Sequence, residues 1–177
     1  MIFSGVMFSL IMFLLSDKAH CRKVDCKSEC CSLVEGFPVR LKELRSSYSE
    51  IQNFYQSTDD LGALIDDTVE HSINSPYGCH AMNEILRFYL ETVLPKAVKK
   101  NQFKTPIDSI GNIFQELKRD MLKCRNYFSC QKPFEISNIK NSYEKLEGKG
   151  VDKAMGELDL LFNYIEKYLA SKRVKHY

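Results

Sequence analysis

The sequence predicts an all-α fold, and three observations predict it. Apolar residues recur every three or four positions through successive segments, the spacing that collects one face of a helix. No stretch sustains the apolar–polar alternation of a half-buried strand. Glycine and proline number only 8 and 5 in 177 residues, too few for a loop-rich sandwich. The chain is long enough for one domain with a sizeable core, and 44% hydrophobic with 27% charged residues is an ordinary globular balance.

Residues 1–21 stand apart from this pattern. "MIFSGVMFSLIMFLL" is almost wholly apolar, and "SDKAHC" then turns polar. A membrane-crossing helix needs roughly 20 apolar residues. This run is shorter and N-terminal, so it is read as a secretory signal peptide whose positive charge comes from the amino terminus alone. Cleavage is expected within Ala19–Cys21: a cut after Cys21 sets small residues, Ala19 and Cys21, at the recognition positions and leaves six cysteines, whereas a cut after Ala19 leaves seven. The mature helical domain is then residues 22–177, with no membrane insertion after signal removal.

The helices follow in order. The first is expected after Pro38, a residue suited to an opening turn. Its apolar face is Leu41, Leu44, Tyr48, Ile51 and Tyr55, and Lys42, Arg45, Ser49, Gln52 and Gln56 form a polar stripe of the same period. "STDDLGALIDD" reads as a short acidic helical turn. The next helix is expected at "NSPYG", with Ser75 as cap and Pro76 in the first position. It carries Cys79, Met82, Ile85, Leu86, Tyr89, Leu90, Val93 and Leu94 on one face, and Pro95 marks its end or a kink. The connection Lys96–Lys104 is basic and has no assigned role. "TPID" resembles a capping box with Thr105 as cap, opening a helix that buries Ile110, Ile113, Phe114, Leu117, Met121 and Cys124. A shorter helix carries Ile136, Ile139, Tyr143 and Leu146. The last has a broad stripe of Val151, Ala154, Met155, Leu158, Leu161, Phe162, Ile165 and Leu169, opposite Asp152, Gly156, Asp159, Asn163 and Glu166. Five or six helices with short loops result.

Six mature cysteines in a secreted chain imply three disulfides, each contributing about 2–4 kcal/mol. Fifteen pairings are open to them. "CKSECC" has no matching His or Cys pair downstream, so a zinc site is not expected. Catalysis finds no support either. His71, His80 and His176 remain after signal removal, and no GxSxG, HExxH or Gly-rich phosphate loop occurs. Cys79 and His80 are neighbours, which on a helix point about 100° apart. No cofactor is expected. A net charge of +2 without a basic run argues against nucleic-acid binding. The polar stripes read first as solvated faces. Set side by side, the basic first helix and the acidic last helix would form a mixed-charge surface suited to a protein partner.

"YGCHAMNEILRFYLETVLP", "LKCRNYFSC" and "KGVDKAMGELDLLFNYIEKYLASK" resemble the interleukin-10 family, from about Cys30 to Lys172. The added N-terminal "VDCKSECC" is similar to bony-fish members, and a viral copy would share it. The resemblance implies a six-helix cytokine bundle and an intertwined, domain-swapped homodimer in which each chain donates its last two helices. It implies bridges Cys30–Cys124 and Cys79–Cys130, with Cys26 and Cys31 as the added pair, and a crossover to the partner near Cys130. It places contacts to a high-affinity class II receptor chain on Lys42, Arg45, Gln52, Gln56, Gly156, Asp159 and Glu166. A low-affinity chain then joins, and Janus kinases and STAT factors carry an anti-inflammatory signal. Gln52 stands where mammalian members have a basic residue, and Gly156 where they have serine. The competing readings are a secreted carrier of an apolar ligand, which needs an internal pocket, and a receptor antagonist of the same fold.

Overall fold

The computed structural model describes residues 26–55, 62–100, 102–130 and 137–173, and all of their regular structure is helical. The expected signal peptide, Gln56 and Ile136 lie outside these residues. The first helix, α1, spans Glu29–Ser49 and begins nine residues before Pro38. Its start is fixed by Ser28, whose Oγ accepts from the Cys31 N–H at 3.1 Å. The apolar period also runs back beyond Pro38: Val34 and Phe37 are buried with Leu41, Leu44 and Tyr48. Pro38 therefore sits inside the helix, where it costs about 3 kcal/mol. That cost is borne because both flanking turns pack on the core.

A tight turn through Ile51 leads to α2, Gln52–Tyr55. The acidic stretch is helical later than expected. Leu64 and Ile65 are buried in an irregular segment, and α3 (Asp67–Ile73) follows. Asp66 caps it, accepting from Thr68 and Val69 N–H groups. Ser75 is not the cap of the next helix. Its hydroxyl donates to the Ser72 carbonyl and accepts from the Tyr77 N–H, building the turn itself. The turn is so tight that a Cβ on Gly78 would lie 2.0 Å from the Ile73 carbonyl oxygen, which makes glycine mandatory there.

From Gly78 one rod continues to Lys100, through α4 (Gly78–Phe88), a π-turn (Tyr89–Val93) and α5 (Leu94–Lys100). Pro95 neither ends nor breaks it. An α-turn would press the proline ring on the carbonyl four residues back; the wider π-turn just before it, where the Leu94 N–H reaches the Tyr89 carbonyl, relieves that crowding. Lys100 pairs with Asp152, so part of the basic connection is helical and docked.

The next helix, α6, spans Lys104–Lys123 and starts one residue before Thr105, which gives it no cap. Phe103 fixes the entry instead, packing on the core and 5.4 Å from the Phe54 ring. Ile110, Ile113, Phe114, Leu117, Met121 and Cys124 are buried as their spacing requires. Beyond residue 136 come α7 (Ser137–Lys145), a single 3₁₀ turn, α8 (Gly150–Gly156) and α9 (Leu158–Ser171). The long last helix expected from the sequence is thus two helices broken at Glu157.

α6 and α9 both lie along α1. Their shared centre is aromatic: Tyr48, Tyr89, Phe114 and Phe162 meet edge to face, with centroids 5.8–6.2 Å apart. Each such side chain, once buried, contributes roughly 1.5–3 kcal/mol. Three disulfides pair Cys26 with Cys31, Cys30 with Cys124, and Cys79 with Cys130. All three fall within residues 26–130, so no bridge reaches α7, α8 or α9.

Candidate functional site

The outer face where α1 meets α9 is built by two helical periods. Leu41, Leu44 and Tyr48 turn inward from α1, which leaves Lys42 and Arg45 exposed. Leu158, Leu161, Phe162 and Ile165 turn inward from α9, which leaves Asp159, Asn163 and Glu166 outside. The two polar stripes then bond to each other. Arg45 Nη2 donates to Asn163 Oδ1 and to Glu166 Oε2, each at 2.9 Å. Gln52 Nε2 donates to Asp159 Oδ2 at 2.8 Å.

The Arg45–Glu166 pair is about half exposed, with side-chain exposures of 45% and 54%. Exposed pairs of this kind contribute about 0–1 kcal/mol. Such a pair orders the two side chains only weakly and leaves both open to exchange partners. Lys42 is exposed one turn before Arg45 and makes no ion pair among the described residues.

Gly156 is half-buried at the α8–α9 break. Its carbonyl accepts from Tyr48 Oη at 3.2 Å. A Cβ there would come within 2.8 Å of the Tyr55 carbonyl oxygen, so glycine permits α8 to close on α2. Burial, and then the nearby charge of Asp159, push the Tyr48 hydroxyl up to about 12. Of the seven residues placed here by resemblance, Arg45, Gln52, Asp159 and Glu166 are joined in cross-helix pairs, with Lys42 and Gly156 beside them. Gln56 lies outside the described residues.

Two neighbours carried no sequence signal of their own. Phe54 is 52% exposed next to the polar stripes. Glu157 fills the break with a carboxylate that accepts from the N–H groups of Leu64 and Ile65 at 2.7–3.1 Å. A charged residue beside a glycine, mid-way along an apolar stripe, was the available hint of a break. Among the described residues no cluster of three His, Cys, Asp or Glu could hold a metal. No described helix is long and apolar enough to cross a membrane.

An all-helical bundle stapled by disulfides, with a cross-paired polar face along its first and last helices, has the architecture of a helical cytokine. The Interleukin 10 family model matches residues 6–171. Chicken interleukin-10 is 37% identical over 161 residues, covering 89% of this chain and 90% of that protein. Pig interleukin-10 is 30% identical, covering 98% and 99%. A viral interleukin-10 homolog from equine herpesvirus 2 is 34% identical, covering 81% and 83%. Among solved structures, human cytomegalovirus IL-10, crystallised bound to a soluble human protein, is similar at a TM-score of 0.52 and 29% identity, over 81% of this chain and 99% of that one. The chain belongs to the interleukin-10 family of cytokines, and it is accordingly a signalling protein rather than an enzyme.

Proposed function

We propose that this chain is a secreted, anti-inflammatory cytokine that presents the α1–α9 face to a high-affinity class II receptor chain. A low-affinity chain is then recruited, and Janus kinases and STAT factors carry the signal. Residues 1–21 serve as the signal peptide, and residues 22–177 as the cytokine domain. One observation carries the reading: the two stripes implied to contact receptor bond to each other, Arg45 of α1 to Glu166 of α9 and Gln52 of α2 to Asp159 of α9. The filled aromatic centre of the bundle favours this over the carriage of an apolar ligand.

We further propose an intertwined homodimer in which the last two helices expected from the sequence, α7 and the broken helix α8–α9, pass from one chain to complete the bundle of the other. The contacts of α9 on α1 are the same whether made within a chain or between two. Because no disulfide ties α7–α9 to the remainder, exchange breaks no covalent bond. Each dimer then carries two equivalent receptor faces.

The deciding experiment is Asp159→Lys. Reversing an exposed charge that holds Gln52 is expected to weaken binding to soluble high-affinity receptor chain about tenfold or more. The helical circular-dichroism signal should not change. Wild-type affinity in that variant would reject the face.

A further inference from the structure

Helix breaks leave backbone groups without partners, and the side chain at a break commonly caps its own helix. Glu157 stands at the start of α9 and makes no such cap. Its carboxylate turns instead to a segment more than ninety residues earlier. Oε2 accepts from the Ile65 N–H at 2.7 Å and the Leu64 N–H at 3.0 Å, and Oε1 accepts from the Leu64 N–H at 3.1 Å. Lys153 Nζ lies 3.3 Å from Oε1. The Glu157 side chain is only 12% exposed. Bonds from neutral N–H groups to an ionised, sheltered carboxylate are stronger than neutral pairs.

The anchored segment is itself immobilised, since Leu64 and Ile65 are buried. The same junction is held from two other sides, by Tyr48 Oη on the Gly156 carbonyl and by the close approach of Gly156 to the Tyr55 carbonyl. Asp159 lies two residues after Glu157, and Gln52 lies three before Tyr55. Fixing the junction therefore fixes the distance between the two halves of the face.

We propose that Glu157 is a positioning residue for partner binding: by clasping the Leu64 and Ile65 amides to the α8–α9 junction, it sets Asp159 against Gln52 before any partner arrives. The inference rests on the receptor reading above. A face ordered in advance spares the partner the entropic cost of ordering it. In an exchanged dimer the same clasp runs between chains.

The test uses the full secreted protein, with Glu157→Gln, which removes the charge, and Glu157→Asp, which keeps the charge but withdraws it by one methylene. Amide hydrogen exchange at Leu64 and Ile65 is measured together with affinity for soluble high-affinity receptor chain. In both variants exchange at these amides is expected to accelerate and affinity to fall about tenfold, with the helical signal retained. If one variant fails to fold, the other decides. Faster exchange at wild-type affinity would overturn positioning. Lost affinity with unchanged exchange would make Glu157 a direct contact and equally overturn it. Neither effect would remove the clasp altogether. Asp159→Lys runs alongside: if it too binds normally, the receptor reading itself has failed, whereas normal binding by the Glu157 variants alone sinks only this proposal.

Discussion

At the scale of the residue, this chain shows which side chains declare themselves and which do not. Arg45 and Glu166 are legible because each sits on a polar stripe whose period is visible in its own segment. Glu157 is not, because its donors lie 92 and 93 positions away in sequence and no local pattern encodes them. Tyr48 is legible only in part. Its spacing gives the buried ring but not the hydroxyl bonded to the Gly156 carbonyl. That hydroxyl makes a testable prediction. Burial first, and the Asp159 charge second, raise Tyr48 to about 12 from an ordinary 10.0. Burial also raises Tyr89 well above its usual range. A raised phenol favours the folded state while protonated. The contribution is whole below pH 10 and disappears as pH climbs through about 12. Stability to urea should therefore decline across that window. Asp159→Asn should move the Tyr48 titration, followed by phenolate absorbance, downward without restoring its ordinary value. A Tyr48 that titrates at 10 would contradict the buried hydroxyl.

At the scale of the element, the period placed the helices and the punctuation misplaced their ends. Pro38, Ser75 and Thr105 are strong start signals, yet each helix begins elsewhere. Pro38 is overridden by the packing of Val34 and Phe37, Ser75 is used for a turn, and Thr105 yields to the docking of Phe103. The break at Glu157 leaves no mark on the period, because the apolar stripe runs through it without a change of phase. Cys124 behaved as its phase required, 6% exposed and joined to Cys30 across 94 residues. Replacing both partners, Cys30→Ser with Cys124→Ser, removes the longest covalent loop without leaving a stray thiol. The loss should be about 2–5 kcal/mol, with about 1–3 kcal/mol more if a serine hydroxyl is left unpaired at the buried end. Thermal melting checks this, and an unchanged midpoint would show the bridge to be idle.

At the scale of the whole molecule, the all-α class followed from periodicity alone, while the α1–α9 pairing followed from resemblance, since no single-chain pattern states which helices touch. The proposed exchange is tested by sedimentation. The secreted protein should run at twice the chain mass, and each dimer should bind two soluble high-affinity receptor chains. A single-chain mass at micromolar concentration would refute the dimer. The π-turn has a different consequence for the molecule as a whole. It carries one residue more than the same length of α-helix would, and the chain packs inward on both sides of it, at Leu86 and at Ala97. Deleting one amino acid here would restore the narrower turn that collides with the Pro95 ring and would drag Tyr89 from its place against Phe114, so residues 89–93 are a seam whose length the bundle cannot alter without loss.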